Sequence, residues 1–479
     1  VTILLQTRFD ITLETVRRVA WDGEGVEIAP EAVARMDRYH RSFQALVAAR
    51  LAENPQAMVY GVTTGPGDAG GANLTAEGEA RRPRHLWTAA SFGEPLPGRV
   101  VRAIVLARLA NFLEGHAAAR GEVALAVADM LRREDLPAVP AQGNGGAGEI
   151  LALGHLFYEL SDRLDLTPKE RMALINGSPC AAALVADVAL AAHGRTELAE
   201  RVFALATEAV RAPLEAYSSD LEPLWDEEHE VAALRSLRSL LDGRSQGRLP
   251  NQAPVSFRIL PRVLGQMRRA EAEAQRAAGT SLRAVTDNPV YIPPDGARPL
   301  GTVFSTGGYH NAWAMAAIDH VAFAWADLCQ LAQRQTDKLF QHPATAGQLV
   351  EEWTYKPMHM VQNGWAEEAR QLAQPTLLSS GAFGQNDVPA LTFLAWRKAM
   401  AIGRCLDAAL AGLSVLAAQA LHGAGRPAPP ALAELAQTVQ AASPPGEAVR
   451  RLGPECEALT ETFQRRVFAR RHGRSVNAG

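Results

Sequence analysis

The stretch Pro140–Phe157, PAQGNGGAGEILALGHLF, decides how this chain is read. Its segment Gly143-Asn144-Gly145-Gly146-Ala147-Gly148 is dense in glycine and runs straight into Ile150–Leu160, which is apolar at helical spacing. Glycines this dense lose much conformational entropy on folding and pack little. They mark backbone in unusual φ/ψ or in close contact with something. A helix starting just after them presents unpaired N–H groups and a partial positive charge. The composition points to a site where backbone meets a ligand. The loop is also a literal G-x-G-x-x-G, but a dinucleotide site needs a strand before it and a βαβ unit around it. Leu136–Pro140 holds two prolines and makes a poor central strand, and no alternation of strands and helices follows. The plain alternative is a glycine-rich turn joining two helices.

Outward from this loop, 479 residues suffice to bury a large core, in one domain or several. The net charge of −4, with both signs interspersed, gives no reason to expect nucleic acid or an anionic membrane as partner. The basic cluster from Arg465 to Arg474 reads as a solvated helix end. Cys180, Cys329, Cys405 and Cys456 are far apart and lack metal spacing, so reduced thiols in a cytoplasmic protein are expected. Neither a signal peptide nor an apolar run long enough to span a bilayer is evident. His229, in Glu227-Glu228-His229-Glu230, lacks the two-histidine spacing of a zinc helix and reads as an exposed turn. No metal is expected.

Along the chain, Thr2–Leu5 and Val26–Ile28 are the strand candidates. From Pro30 the apolar spacing turns helical. Tyr60-Gly61-Val62-Thr63-Thr64-Gly65-Pro66-Gly67-Asp68 is a loop with a tyrosine at its base and little charge, which reads as functional. A helix pair is expected over 98–135. Thr167-Pro168-Lys169-Glu170 carries a capping box with proline in the first turn. That helix runs into Leu174-Ile175-Asn176-Gly177, where a polar asparagine ends a buried run. Residues 182–245 and 258–285 read as bundle helices, helical spacing resumes over 313–329, and near-continuous helical periodicity covers 319–340, 365–373 and 388–421. Thr286-Asp287-Asn288-Pro289 signals a turn. Proline-rich pieces at 427–430 and 444–445 bracket a C-terminal helix pair.

These separated motifs resemble one family, the histidine and aromatic amino acid ammonia-lyases. Tyr60–Gly65 matches its tyrosine loop, Gly93-Glu94-Pro95-Leu96 its next block and Leu174–Gly177 its buried asparagine. Gln252–Arg258 matches its arginine segment, and Thr286–Pro289 and Gly307–His310 match later blocks, all in order over residues 1–420. The resemblance implies a mainly α fold. Long antiparallel helices form a central bundle, and a small N-terminal α+β part carries the tyrosine loop. The expected division is 1–200 with both loops, 201–425 as the bundle and 426–479 as a C-terminal helical segment. Family members are homotetramers whose sites combine loops from three subunits.

The family cyclises an Ala-Ser-Gly tripeptide into an electrophile, methylideneimidazolone. Aligned through Glu149 and His155, that tripeptide falls here on Gly146-Ala147-Gly148. No serine stands between Gly143 and Phe157, so the hydroxyl whose loss makes the exocyclic methylene is missing. Other departures accompany it. The family's second catalytic tyrosine falls on Val255, a usual histidine on Thr88, and Lys356 stands where a small polar residue is usual.

Without the electrophile, a primary amine is a very poor leaving group, whereas a quaternary ammonium departs as a neutral tertiary amine. One branch of the superfamily, ergothionase, fits this logic and eliminates trimethylamine from ergothioneine to give thiourocanate. The resemblance therefore implies a cofactor-free carbon–nitrogen lyase acting on a small amino-acid-derived betaine. Three other readings stand beside it. They are an electrophile-free lyase or aminomutase for another activated amino acid, an inactive homologue that only binds ligand, and an ordinary ammonia-lyase whose electrophile forms from other residues.

The expected catalytic residues are Tyr60 as base, with the helix start after Gly148 or Lys356 lowering its pKa, then Lys356 itself and Asn386. Expected substrate contacts are Asn176, Arg258 (to the carboxylate), Tyr309, Gln385, Thr88 and Asn144. Trp313 and Trp353 join Tyr309 as a candidate cation–π wall. His310 is read as orienting backbone.

Overall fold

The computed structural model describes residues 2–468 apart from 76, 79–80, 244–246, 251, 351–352, 379–380, 382–383 and 447–448. Both expected N-terminal strands form. Thr2–Leu5 and Gly25–Ile28 pair in parallel, Thr2 opposite Gly25 through Leu5 opposite Ile28. Leu5, Val26 and Ile28 turn into the core. The Pro30–Glu53 helix follows, with proline in its first turn, where the missing N–H is no loss. It buries Ala32, Met36, Phe43 and Leu46, a three-to-four-residue stripe. The expected helix pair is Gly98–Leu113 and Gly121–Asp129.

The bundle comprises Pro179–Ala209, Leu260–Arg283, Ala312–Gln341, Met358–Leu372 and Thr392–Gly423. Side-chain pairs fix their directions. Thr196 reaches Glu271 while Arg268 reaches Glu200, so the first two helices are antiparallel. Trp313 reaches Glu273 while Gln266 reaches His320, so the third reverses again. Gln330 donates to Ala366 O across the third and fourth. Trp396 bonds Asp187 and Arg195 bonds Asp407, so the fifth runs parallel to the first.

The segments Pro168–Ala209 and Thr392–Gly423 are each long and apolar enough to cross a bilayer, a pattern the sequence reading does not anticipate. Their apolar windows are 94 % and 83 % buried inside the protein, so they are core helices. Their alanines let backbones approach closely, and a helix that is apolar all round belongs at the centre of a packed fold. The Pro179–Ala209 helix runs through position 200, so the boundary expected there falls within a bundle helix. At the C-terminus the proline-rich pieces flank only Ala433–Ala442, and the second helix, Leu452–Val467, begins beyond them. Of the basic cluster, residues 469–474 lie outside the described residues.

Candidate active site

The tyrosine loop is a tight fold-back. Gly61 has φ +66°, and a Cβ there would meet Met172 Cγ at 2.8 Å, so only glycine fits. Thr64 Oγ1 accepts the Gly61 N–H and Thr63 Oγ1 accepts the Val59 N–H, which fixes the turn around Tyr60. The chain then crosses the phenol ring, and the Tyr60 hydroxyl accepts the Gly67 N–H at 2.8 Å. One residue on, Asp68 Oδ1 accepts the Gln385 N–H at 2.7 Å. This bond ties the tyrosine loop to the segment carrying Gln385 and Asn386.

Asn176 ends the Pro168–Ile175 helix, whose Thr167–Glu170 capping box is formed as expected. Its Oδ1 accepts the Gly177 N–H, and its carbonyl accepts Arg108 Nη1. Thr286 Oγ1 accepts the Ser178 N–H, and the Ser178 hydroxyl donates to Gly308 O. Asn288 Oδ1 takes Ser305 Oγ and Thr306 N. The three family-like blocks are thereby stitched together behind one cavity.

That cavity has a volume of about 250 Å³. Its wall brings together Tyr60, Thr88, Asn176, Tyr309, Gln385 and Asn386, all expected from sequence. It adds Asp68, Trp87, Ala147, Met172, Asn288 and Ser305, which the sequence reading did not single out as site residues. Five expected residues do not line it. Asn144 closes the glycine-rich loop on itself, donating to Pro140 O. Arg258 donates from Nε to Ala253 O. Lys356 is exposed, with Nζ 4.8 Å from the Trp353 ring. Trp313 donates its indole N–H to Glu273 on the bundle surface. Trp353, 72 % exposed, also lies off this cavity.

Gly143 and Gly148 have φ near +70°, which glycine adopts without strain, and a Cβ at Gly148 would touch the Tyr309 ring at 3.4 Å. Gly146 O accepts the Ala390 N–H. In this loop the side chain facing the cavity is the methyl of Ala147. The family's electrophile needs a hydroxymethyl there, so the residues present do not fit it.

Burial shapes the ionisable groups. It pushes the Tyr60 phenol above its ordinary value, and the Gly67 N–H offsets this only in part. The expected lowering by Lys356 or by the helix start is therefore absent within one chain. Behind the cavity, Glu149 is buried and pushed up to about 7 by desolvation, although its carboxylate accepts the Cys180 and Ala181 N–H groups. Burial pulls Lys169 down, while Asp287, 2.7 Å away, pulls it back. Burial raises the Cys180 thiol, which is thus no nucleophile. Glu149, Arg108, Lys169 and Asp287 form a buried charged cluster, outside the cavity wall, that sequence spacing alone did not reveal. The signal available was a charged residue inside each apolar block.

The sequence profile of the family described as aromatic amino acid lyase matches residues 11–163 and 158–443. A histidine ammonia-lyase of Symbiobacterium thermophilum is 30 % identical over 501 residues, 94 % of either chain. The solved structure of ergothionase from Treponema denticola, in complex with desmethyl-ergothioneine sulfonic acid, matches with a TM-score of 0.85. It is 19 % identical, over 98 % of this chain and 99 % of that one. Tyrosine aminomutase from Streptomyces globisporus matches at 0.83 and 22 % identity over 98 % of both. These two structural likenesses establish the fold.

Proposed function

Since the chain belongs to the aromatic amino acid lyase family of carbon–nitrogen lyases, we propose that it works without the methylideneimidazolone ring and eliminates trimethylamine from ergothioneine, giving thiourocanate. The observation that carries this reading is the pairing of Tyr60 with Ala147 in one cavity wall. The base is kept and the hydroxyl that would build the electrophile is gone.

The step balances without a cofactor. Tyr60, as phenolate, takes a proton from Cβ. The Cβ–H electron pair becomes the new C=C bond, the Cα–N bond breaks, and its electron pair leaves on neutral trimethylamine. Because burial favours the neutral phenol, a cation must come near Tyr60 when the base acts. Asn176 and Asn386 offer amide donors and acceptors to the substrate ring and backbone atoms. No Lys or Arg lines the cavity among the described residues. The substrate carboxylate therefore draws its partner from elsewhere. A homotetramer with composite sites supplies it, Arg258 and Lys356 reaching the cavity of a neighbouring subunit. Phe92, 84 % exposed and four residues beyond Thr88 of the cavity wall, is a large apolar side chain of the kind a subunit interface covers.

The test is direct. The protein is incubated separately with ergothioneine, histidine, phenylalanine and tyrosine, while acrylate absorbance and released amine are followed and the intact mass is recorded. Trimethylamine from ergothioneine, with a mass equal to that of the unmodified sequence, supports the reading. Ammonia from histidine or phenylalanine, or a mass short by lost water, sinks it.

A further inference from the structure

The cavity is anionic and aromatic. Asp68 is the one formally charged side chain in its wall among the described residues. Its carboxylate is exposed and makes no ion pair among them. It is nevertheless held in place. Oδ1 accepts the Gln385 N–H at 2.7 Å, and Gly384, with φ +62°, packs so close that a Cβ there would stand 2.2 Å from Oδ1. The chain thus reserves space for this carboxylate and aligns it, leaving its charge without a counter-ion among the described residues. Tyr60, Trp87 and Tyr309 line the same cavity. Aromatic faces with a fixed carboxylate are the chemistry that recognises a cation too crowded to accept or donate hydrogen bonds.

We infer that Asp68, with the Trp87 and Tyr309 rings, binds the quaternary ammonium group of the substrate and sets the enzyme's preference for permanently cationic amines. This inference rests on the proposed elimination for its substrate, though not for the binding itself. It also orients the substrate, with the cation toward Asp68 and the carboxylate toward the uncharged side. A bound cation further brings positive charge into the cavity that holds the Tyr60 phenol, which favours the phenolate.

The probes are choline and its uncharged isostere 3,3-dimethylbutan-1-ol, titrated against the full-length protein by calorimetry. Asp68→Asn is the main variant, because an amide oxygen can still accept the Gln385 N–H while the charge is lost. An unchanged melting temperature verifies its fold, and Asp68→Glu serves as the conservative variant. The expected result is that the native protein binds choline at least about tenfold more tightly than the isostere, that Asp68→Asn loses this preference, and that Asp68→Glu keeps part of it. Equal binding of the two probes, no binding of choline, or an unaltered preference in Asp68→Asn overturns the inference. Failure of the substrate reading looks different. Choline binding that depends on Asp68, without trimethylamine release from ergothioneine, leaves the cation site standing and removes only the proposed substrate. Ergothioneine turnover with an unchanged KM in Asp68→Asn removes only the cation site.

Discussion

The carboxylate of Glu149 accepts the backbone N–H of Cys180 at 2.5 Å, so the residue that ends the glycine-rich loop caps the helix that starts beyond the asparagine turn. A second bond, from Ala181 N–H at 2.6 Å, completes the cap. An acidic group at a helix N-terminus is favourable, yet this one is buried, and desolvation lifts it to about 7. The cap is therefore what joins loop, asparagine turn and bundle.

Its raised pKa gives a signed pH dependence. An acid held above its unfolded value of 4.5 binds its proton more tightly when folded. The stability it contributes is complete below the unfolded value and is lost as pH rises through the folded one. Glu149→Gln does not titrate. The melting temperature of the native protein minus that of Glu149→Gln is expected to fall between pH 4.5 and about 7 and to level off above. A difference that stays flat across that window removes Glu149 as the titrating cap.

Lys169 and Asp287, both buried, pair at 2.7 Å and connect the capped Pro168–Ile175 helix to the turn that carries Asn288. Removing one member leaves the other charged and unpaired. Such losses cost about 3–5 kcal/mol, so Lys169→Met is expected to lower the denaturation midpoint sharply. The double variant Lys169→Met with Asp287→Leu should recover much of that loss. Equal instability of single and double variants would show that the pair does something other than neutralise itself.

How much of this could be read from the chain follows from physical range. The capping box at Thr167–Glu170 and the strands at Thr2–Leu5 and Gly25–Ile28 depend on neighbours a few residues apart, and pattern reveals them. Six cavity residues, from Tyr60 to Asn386, were legible because their motifs keep family order. Asp68 and Trp87 were not, because only the fold sets one beside Gln385 and the other in the wall of the cavity that holds Tyr60. Arg258 stands in a segment that resembles the family's and Lys356 in a departure from its pattern, and nothing local in the sequence says whether either reaches this cavity. Alanine, the small residue that lets helices pack on all sides, scarcely marks a face, so helical composition over 182–245 and helical spacing over 388–421 do not show that these helices are buried all round.

Tyr60→Phe removes the proposed base and leaves the Gly67 N–H without its acceptor. The lost bond costs about 1 kcal/mol of stability, which the fold is expected to tolerate. Loss of the base should lower kcat by at least about 100-fold. In the native enzyme kcat/KM should rise with pH, because burial favours the neutral phenol and base makes the phenolate. Lys356→Met should move that limb to higher pH if the ammonium sits near the phenol in the assembly. A limb that does not shift assigns Lys356 no part in activating the base.

No Lys or Arg lines the cavity among the described residues, so the proposed carboxylate partner must come from elsewhere. Tyr60 lines the cavity of its own chain, while Arg258, which bonds Ala253 O, does not. If a neighbouring subunit provides the arginine, then Tyr60→Phe and Arg258→Ala each disable every site in a pure assembly. Subunits of the two kinds, unfolded together and reassembled, place an intact Tyr60 opposite an intact Arg258 in a fraction of the sites. Mixing should therefore restore a measurable share of activity, with KM near the native value at the restored sites. Arg258→Lys, which keeps the charge and loses the two-pronged carboxylate geometry, should raise KM at least about tenfold in the pure assembly. Activity in the mixture no greater than that of the two variants measured separately would place base and carboxylate partner in a single subunit, and with it would fall the composite site.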